Sequence, residues 1–139
     1  MQTKSPSPDD VFPPSGSTDP EGIKLRESAA GGLAVRVERR GATAVVTLSG
    51  ELDLRSTSLL SGKLEAVEAE APEVLVLDLS RLQFLDSTGV AVTIGAFTRA
   101  RDQGRRLVIV PGPPRVQKPF QLAGLDSILE FSESAPPDP

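Results

Sequence analysis

Two short acidic stretches carry the residue types best suited to chemistry in this 139-residue chain: Gly50-Glu51-Leu52-Asp53 and Asp86-Ser87-Thr88-Gly89. Each follows an apolar run and precedes a helical pattern. Each should therefore stand at the carboxyl end of a strand, where ligands and modifiable groups collect in parallel α/β sheets. A Ser87 hydroxyl at a helix N-terminus would meet free N–H groups and a dipole that favour an added negative group. Asp86 would oppose that group by like-charge repulsion. If the two strands are neighbours, Glu51 and Asp53 would approach the same hydroxyl, an arrangement open to acid–base work or to Mg²⁺. Spacing alone is equally satisfied by ordinary helix capping through Asp86 or Ser87, and by a solvated turn at Glu51 and Asp53.

The composition narrows this chemistry. Histidine and cysteine are both absent, which removes imidazole bases, thiol nucleophiles, disulfides and soft-metal sites. No activating base for Ser87 and no Gly-rich phosphate cradle is present. Catalysis is not expected, and neither a cofactor nor a metal. Residues 33–134 hold 12 Lys+Arg against 13 Asp+Glu, and the chain has no Trp or Tyr. A nearly neutral domain without an aromatic platform is a poor nucleic-acid binder. No apolar run approaches a membrane span and the N-terminus has no signal-peptide character, so a cytoplasmic location is expected.

The elements that would position the two stretches follow from periodicity. Residues 1–32 mix Ser, Pro, Gly and acidic side chains with few large apolar ones, and are expected to be a disordered tail, with Ile23 and Leu25 at most a fringe contact. Leu33 to Glu38 and Thr43 to Leu48 alternate as the strands of an opening hairpin. Ser56 is placed to cap a helix carrying Leu60, Leu64 and Val67 on one face, which Pro72 stops. Val74 to Leu79 is a continuous apolar strand, Ser80 to Leu85 an extended connector, and a second helix with Val90, Ile94 and Phe97 inward begins after Ser87. Ala91 and Gly95 form a small-residue stripe on that helix, expected to pack closely. Leu107 to Val110 is a strand, Arg115 to Ala123 a helix containing Pro119, and Ile128 to Phe131 a last short strand before a tail at 135–139. The arginines at 99, 101, 105 and 106 read as cations near a helix C-terminus. The order predicts one α/β domain over 33–134, with a mixed sheet of four to five strands, right-handed crossovers and helices packed on it.

On these residues the chain resembles a STAS domain of the kind found in bacterial anti-sigma-factor antagonists. The resemblance rests on Leu48-Ser49-Gly50-Glu51-Leu52-Asp53, on Val76-Leu77-Asp78-Leu79 followed by Phe84-Leu85-Asp86-Ser87-Thr88-Gly89, and on the region Val116 to Leu125 ending in Ala-Gly-Leu. It spans about Leu33 to Phe131. It implies a binding module rather than an enzyme. In its unphosphorylated form such a protein binds an anti-sigma factor with histidine-kinase-like serine kinase activity and frees a sigma factor. Phosphorylation, here at Ser87, breaks the complex until a PP2C-type phosphatase reverses it. Asp86, Thr88, Gly89, Gly50, Glu51, Leu52 and Asp53 would line the partner surface. The alternative within the family is a non-phosphorylated scaffold in a signalling or lipid-transport complex. The chain departs from many members in that Ser132 to Pro139 cannot form a final helix.

Overall fold

A computed structural model describes residues 24–133. Five strands and three helices alternate as the sequence order demands: β1 (Lys24–Ala30), β2 (Leu33–Arg40), β3 (Thr43–Leu52), α1 (Thr57–Ala69), β4 (Val74–Leu85), α2 (Ser87–Asp102), β5 (Arg106–Val110) and α3 (Pro114–Leu122). The strands lie in the sheet in chain order. β1, β2 and β3 are antiparallel; β4 and β5 continue in parallel. The domain is thus a mixed five-stranded α/β sheet, within the range the sequence predicts.

The sheet opens earlier than expected. Residues 24–30 pair with β2 from Lys24↔Arg39 to Ala30↔Leu33, so the domain boundary moves back from residue 33, and the expected hairpin is the second turn of a three-stranded meander. The turn between β1 and β2 is Gly31-Gly32, both at positive φ, the backbone that tight hairpins require. Residues 1–23, expected as a disordered tail, and the tail at 135–139 lie outside the described residues.

One core unites the helices with one face of the sheet. Leu33 and Val35 of β2, Val46 and Leu48 of β3, Leu75, Leu77 and Leu79 of β4 and Ile109 of β5 alternate inward against Leu60 and Leu64 of α1, Ala96 and Ala100 of α2, and Val116 and Phe120 of α3. The opposite face carries a separate cluster of Val74, Val76, Val108 and Val110. β4 therefore reads as a continuous apolar run because it is buried on both sides.

Three details depart from the sequence reading. First, the inward face of α2 is rotated from the expected one: Val90 is buried and Phe97 packs against the core as expected, but Gly89, Thr93, Ala96 and Ala100 fill the rest of that face and Ile94 is 39% exposed. Ala91 is exposed and Gly95 half-buried, so that stripe faces away from the core. Second, residues 80–85 are not a connector but the last half of β4, which runs through register shifts opposite Thr47/Ser49 and Gly50/Glu51. Third, the expected last strand reduces to one parallel bridge, Ile109↔Phe131, closed by Ile109 N–H donating to the Glu130 carbonyl at 2.8 Å and Ser132 N–H to that of Ile109 at 2.9 Å.

The arginines tie elements together. Arg99 of α2 forms a bidentate pair with Glu68 of α1 at 2.8 and 3.0 Å. Arg105 donates to the carbonyls of Pro72 and Glu68, and Arg106 pairs with Glu130.

Candidate functional site

The parallel pairing of β3 with β4 brings both acidic stretches to one edge, with Leu52 opposite Leu85. The Asp86 N–H donates to the Leu52 carbonyl at 3.3 Å, so the chain enters α2 directly beside the end of β3. Leu52 also packs on Gly89. A Cβ built at Gly89 would stand 3.0 Å from Leu52 Cδ2 and 3.0 Å from Leu85 Cγ, so glycine lets the first turn of α2 sit close against both strands.

Asp86 is the N-cap of α2. Its Oδ1 accepts from Thr88 N–H at 2.9 Å, from Gly89 N–H at 3.3 Å and from the Thr88 hydroxyl at 2.5 Å. One carboxylate oxygen thus serves two of the free donors of the first turn and fixes Thr88. The cap therefore falls to Asp86 and draws on no atom of the Ser87 side chain. Asp86 takes the cap, which leaves Ser87, at the first helical position, exposed. Its hydroxyl is aimed from a rigid element next to the positive end of a 16-residue helix.

The Gly50–Asp53 stretch is held from three sides. Gly50 sits at φ +94°, and a Cβ there would come within 2.2 Å of the Gly32 carbonyl oxygen. Glu51 N–H donates to that same oxygen at 3.0 Å, so the β2 end is clamped on the β3 end. Arg55, which sequence reasoning did not single out, binds both acidic side chains. Its Nη2 lies 2.9 Å from Glu51 Oε1 and 3.1 Å from Asp53 Oδ2. The guanidinium hydrogen bond holds the Asp53 carboxyl below its ordinary range and raises the Arg55 value in return. Both carboxylates are thus engaged by a cation rather than held open towards a metal or a substrate proton.

Ser56 stands at the N-cap position of α1, as the sequence predicts, but its side chain has another role. Instead of capping α1 with its side chain, it is buried and stitches the loop: Oγ donates to the Glu51 carbonyl at 2.9 Å and accepts from Asp53 N–H at 3.1 Å. The expected cap position and the observed stitch use the same hydroxyl, so only the fold distinguishes them.

Apolar side chains rim the site. Leu54 is 76% exposed, and Phe84, opposite Glu51 in the β3–β4 register, is 46% exposed. Ile94, two turns along α2 from Ser87, is exposed as well. Among the described residues no helix is long and apolar enough to cross a membrane.

Known proteins are similar to this chain in sequence and fold. The family model described as "Mlab, STAS domain" matches residues 35–130. The anti-sigma-F factor antagonist RsfB of Mycobacterium tuberculosis is 31% identical over 75% of this chain and 84% of its own. The crystal structure of an anti-sigma factor antagonist from Mycobacterium paratuberculosis superposes with a TM-score of 0.62 at 27% identity, covering 85% of this chain and 92% of that one. The Bacillus cell fate determinant SpoIIAA in its phosphorylated form gives a TM-score of 0.58 at 26% identity over 70% of this chain and 90% of that one. From the match across most of the described residues, and from a sheet and helix order shared with solved antagonists, it follows that this chain belongs to the STAS domain family.

Proposed function

We propose that this protein is an anti-sigma-factor antagonist that acts by binding, and that the Ser87 hydroxyl is its switch. The observation that carries the reading is the division of labour at α2: Asp86 satisfies the helix end, and Ser87 stands exposed beside the apolar rim. Relatives bearing the antagonist name, and a related protein solved in a phosphorylated form, support it. The partner is an anti-sigma factor with histidine-kinase-like serine kinase activity, met in the cytoplasm. Leu54, Phe84 and the Gly50–Asp53 and Asp86–Gly89 stretches supply the contact surface.

In the switching step Ser87 Oγ attacks the γ-phosphorus of the kinase's ATP. The hydroxyl proton is lost and ADP leaves. The phosphoserine carries about −1.5 to −2 charges at neutral pH. The helix N-terminus tolerates that charge, so the fold persists. An apolar contact surface does not tolerate it, and the Asp86 carboxylate next in sequence adds repulsion. A PP2C-type phosphatase returns the free hydroxyl.

The test is incubation with the cognate anti-sigma factor and ATP, followed by intact-mass measurement and binding. One phosphate is expected on the wild type and none on Ser87→Ala, which should stay bound. Phosphate appearing on Ser87→Ala, at Thr88 for example, would displace the switch from Ser87. An absence of phosphate on both, with binding intact, would favour the passive scaffold.

A further inference from the structure

On the sheet face opposite the helices, beyond the valine cluster, lies a polar niche of about 710 Å³, including the space open to solvent. Two rows of the strand register build it. Ala29, Ala34, Ser49 and Arg81 lie side by side from β1 to β4, and Glu27, Arg36 and Thr47 form the row next to them. The alanines keep the first row low, which opens space between the long side chains of Arg36 and Arg81. Arg81 reaches this face through a bulge. Thr47 pairs with Asp78 but Ser49 pairs with Arg81, so Leu79 and Ser80 of β4 stand against Leu48 alone. Asp78 Oδ1 accepts from Ser80 N–H at 2.9 Å and steadies the extra residue, and the shift turns Arg81 to the side of Ser49.

What marks the niche is unspent donor capacity rather than net charge. Among the described residues no hydrogen bond or ion pair engages the side chains of Thr47, Ser49 or Arg81. Arg36 meets Glu27 only at 3.9 Å, beyond hydrogen-bond distance. We propose that this niche binds a small phosphate ligand, an ester or the free anion. Arg36 and Arg81 stand on the two strands that flank β3, their Cα atoms about 12 Å apart from strand spacing and rise, so a group seated over Thr47 and Ser49 lies between the two guanidinium forks. Two forks and two hydroxyls offer about six donors, against about four acceptor sites on a carboxylate. The terminal oxygens of a phosphate accept them all, and arginine forks fit such oxygens in pairs. Because α2 packs on the other face of the sheet, the niche is independent of the Ser87 switch.

The test is amide NMR titration of the full chain with inorganic phosphate at constant ionic strength, with acetate as the control. Saturable shifts centred on Arg36, Thr47, Ser49 and Arg81 are expected with phosphate and not with acetate. Arg81→Gln, an exposed change, and Thr47→Val, which keeps the side-chain shape, should each weaken phosphate binding about tenfold or more, the scale of a hydrogen bond to a charged group, with the signals of the helices unmoved. Methyl phosphate distinguishes the source: tighter binding than inorganic phosphate assigns an ester, equal or weaker binding the free anion. Shifts that track ionic strength alone, equal shifts with acetate, or an Arg81→Gln variant that binds phosphate as the wild type does would each overturn the proposal.

Discussion

Replacing Asp86 separates the mechanical duty of this carboxylate from its charge. In Asp86→Ala the α2 N-terminus loses its acceptor for Thr88 N–H and Gly89 N–H, and Thr88 loses its hydroxyl partner. Loss of an N-cap of this kind costs about 0.5–2 kcal/mol. Gly89 is buried, so water reaches its N–H poorly, which places the cost in the upper half of that range. Thr88 is half-buried and partly regains water, which keeps the cost from exceeding it. A loss of about 1–2 kcal/mol lowers Tm by roughly 5–10 °C in a domain of this size. Asp86→Asn keeps the carbonyl Oδ1 as acceptor and is expected to stay within about 0.5 kcal/mol of wild type. Urea denaturation followed by circular dichroism measures both. If Ala and Asn are equally destabilising, the charge rather than the acceptor is what matters. If Ala is neutral, the cap reasoning fails, and with it the claim that Asp86 releases Ser87 from structural duty.

Other perturbations have equally definite outcomes. Gly50→Ala places a Cβ 2.2 Å from the Gly32 carbonyl at φ +94° and is expected to cost about 2–4 kcal/mol, read as a lower urea midpoint; a neutral result would contradict the clamp. Ser56→Ala strands the Asp53 N–H and the Glu51 carbonyl. It should cost about 1–3 kcal/mol and broaden the amide signals of residues 51–55; unchanged signals would refute the stitch. The Arg106 guanidinium holds the Glu130 carboxyl below its ordinary 4.5. A carboxyl depressed in the fold stabilises fully above its unfolded value and loses that contribution as pH falls through the folded one. Glu130 is largely exposed, so Glu130→Gln should weaken the fold at pH 7 by at most about 1 kcal/mol, a difference that shrinks on acidification below pH 4.5. A difference that grew with acid would reverse the assigned sign.

Much of the site was legible because it depends on local types at strand ends. The apolar runs of β3 and β4, each followed by an acidic stretch and a helix, forced parallel neighbours, and the Leu52↔Leu85 register brings the two stretches together as that order requires. β1 was illegible for a physical reason. It is an edge strand of Lys24-Leu25-Arg26-Glu27-Ser28-Ala29-Ala30 in which Ser28 alone is fully buried among the side chains described, so no alternation marks it. Its one signal was Gly31-Gly32, a hairpin dipeptide. On α2 the large side chains Val90 and Phe97 do pack inward, and only Ile94 was placed on the wrong side. Between them the helix presents Gly89, Thr93, Ala96 and Ala100, which let it approach the sheet closely, and leaves Ile94 for the surface. Both choices satisfy a 3.6-residue period, so only tertiary packing decides. Arg55 and Ser56 act across a loop that closes only once β3 and α1 are in place, which no helical or strand period encodes.

The most direct test of the switch is calorimetric titration of the cognate anti-sigma factor with wild-type protein before and after phosphorylation by that partner, alongside Ser87→Ala treated identically. Phosphorylated wild type is expected to bind about tenfold or more weakly, as a charge forced into a contact surface requires, while Ser87→Ala keeps one affinity throughout. Equal affinities of the phosphorylated and unphosphorylated wild type would contradict the account.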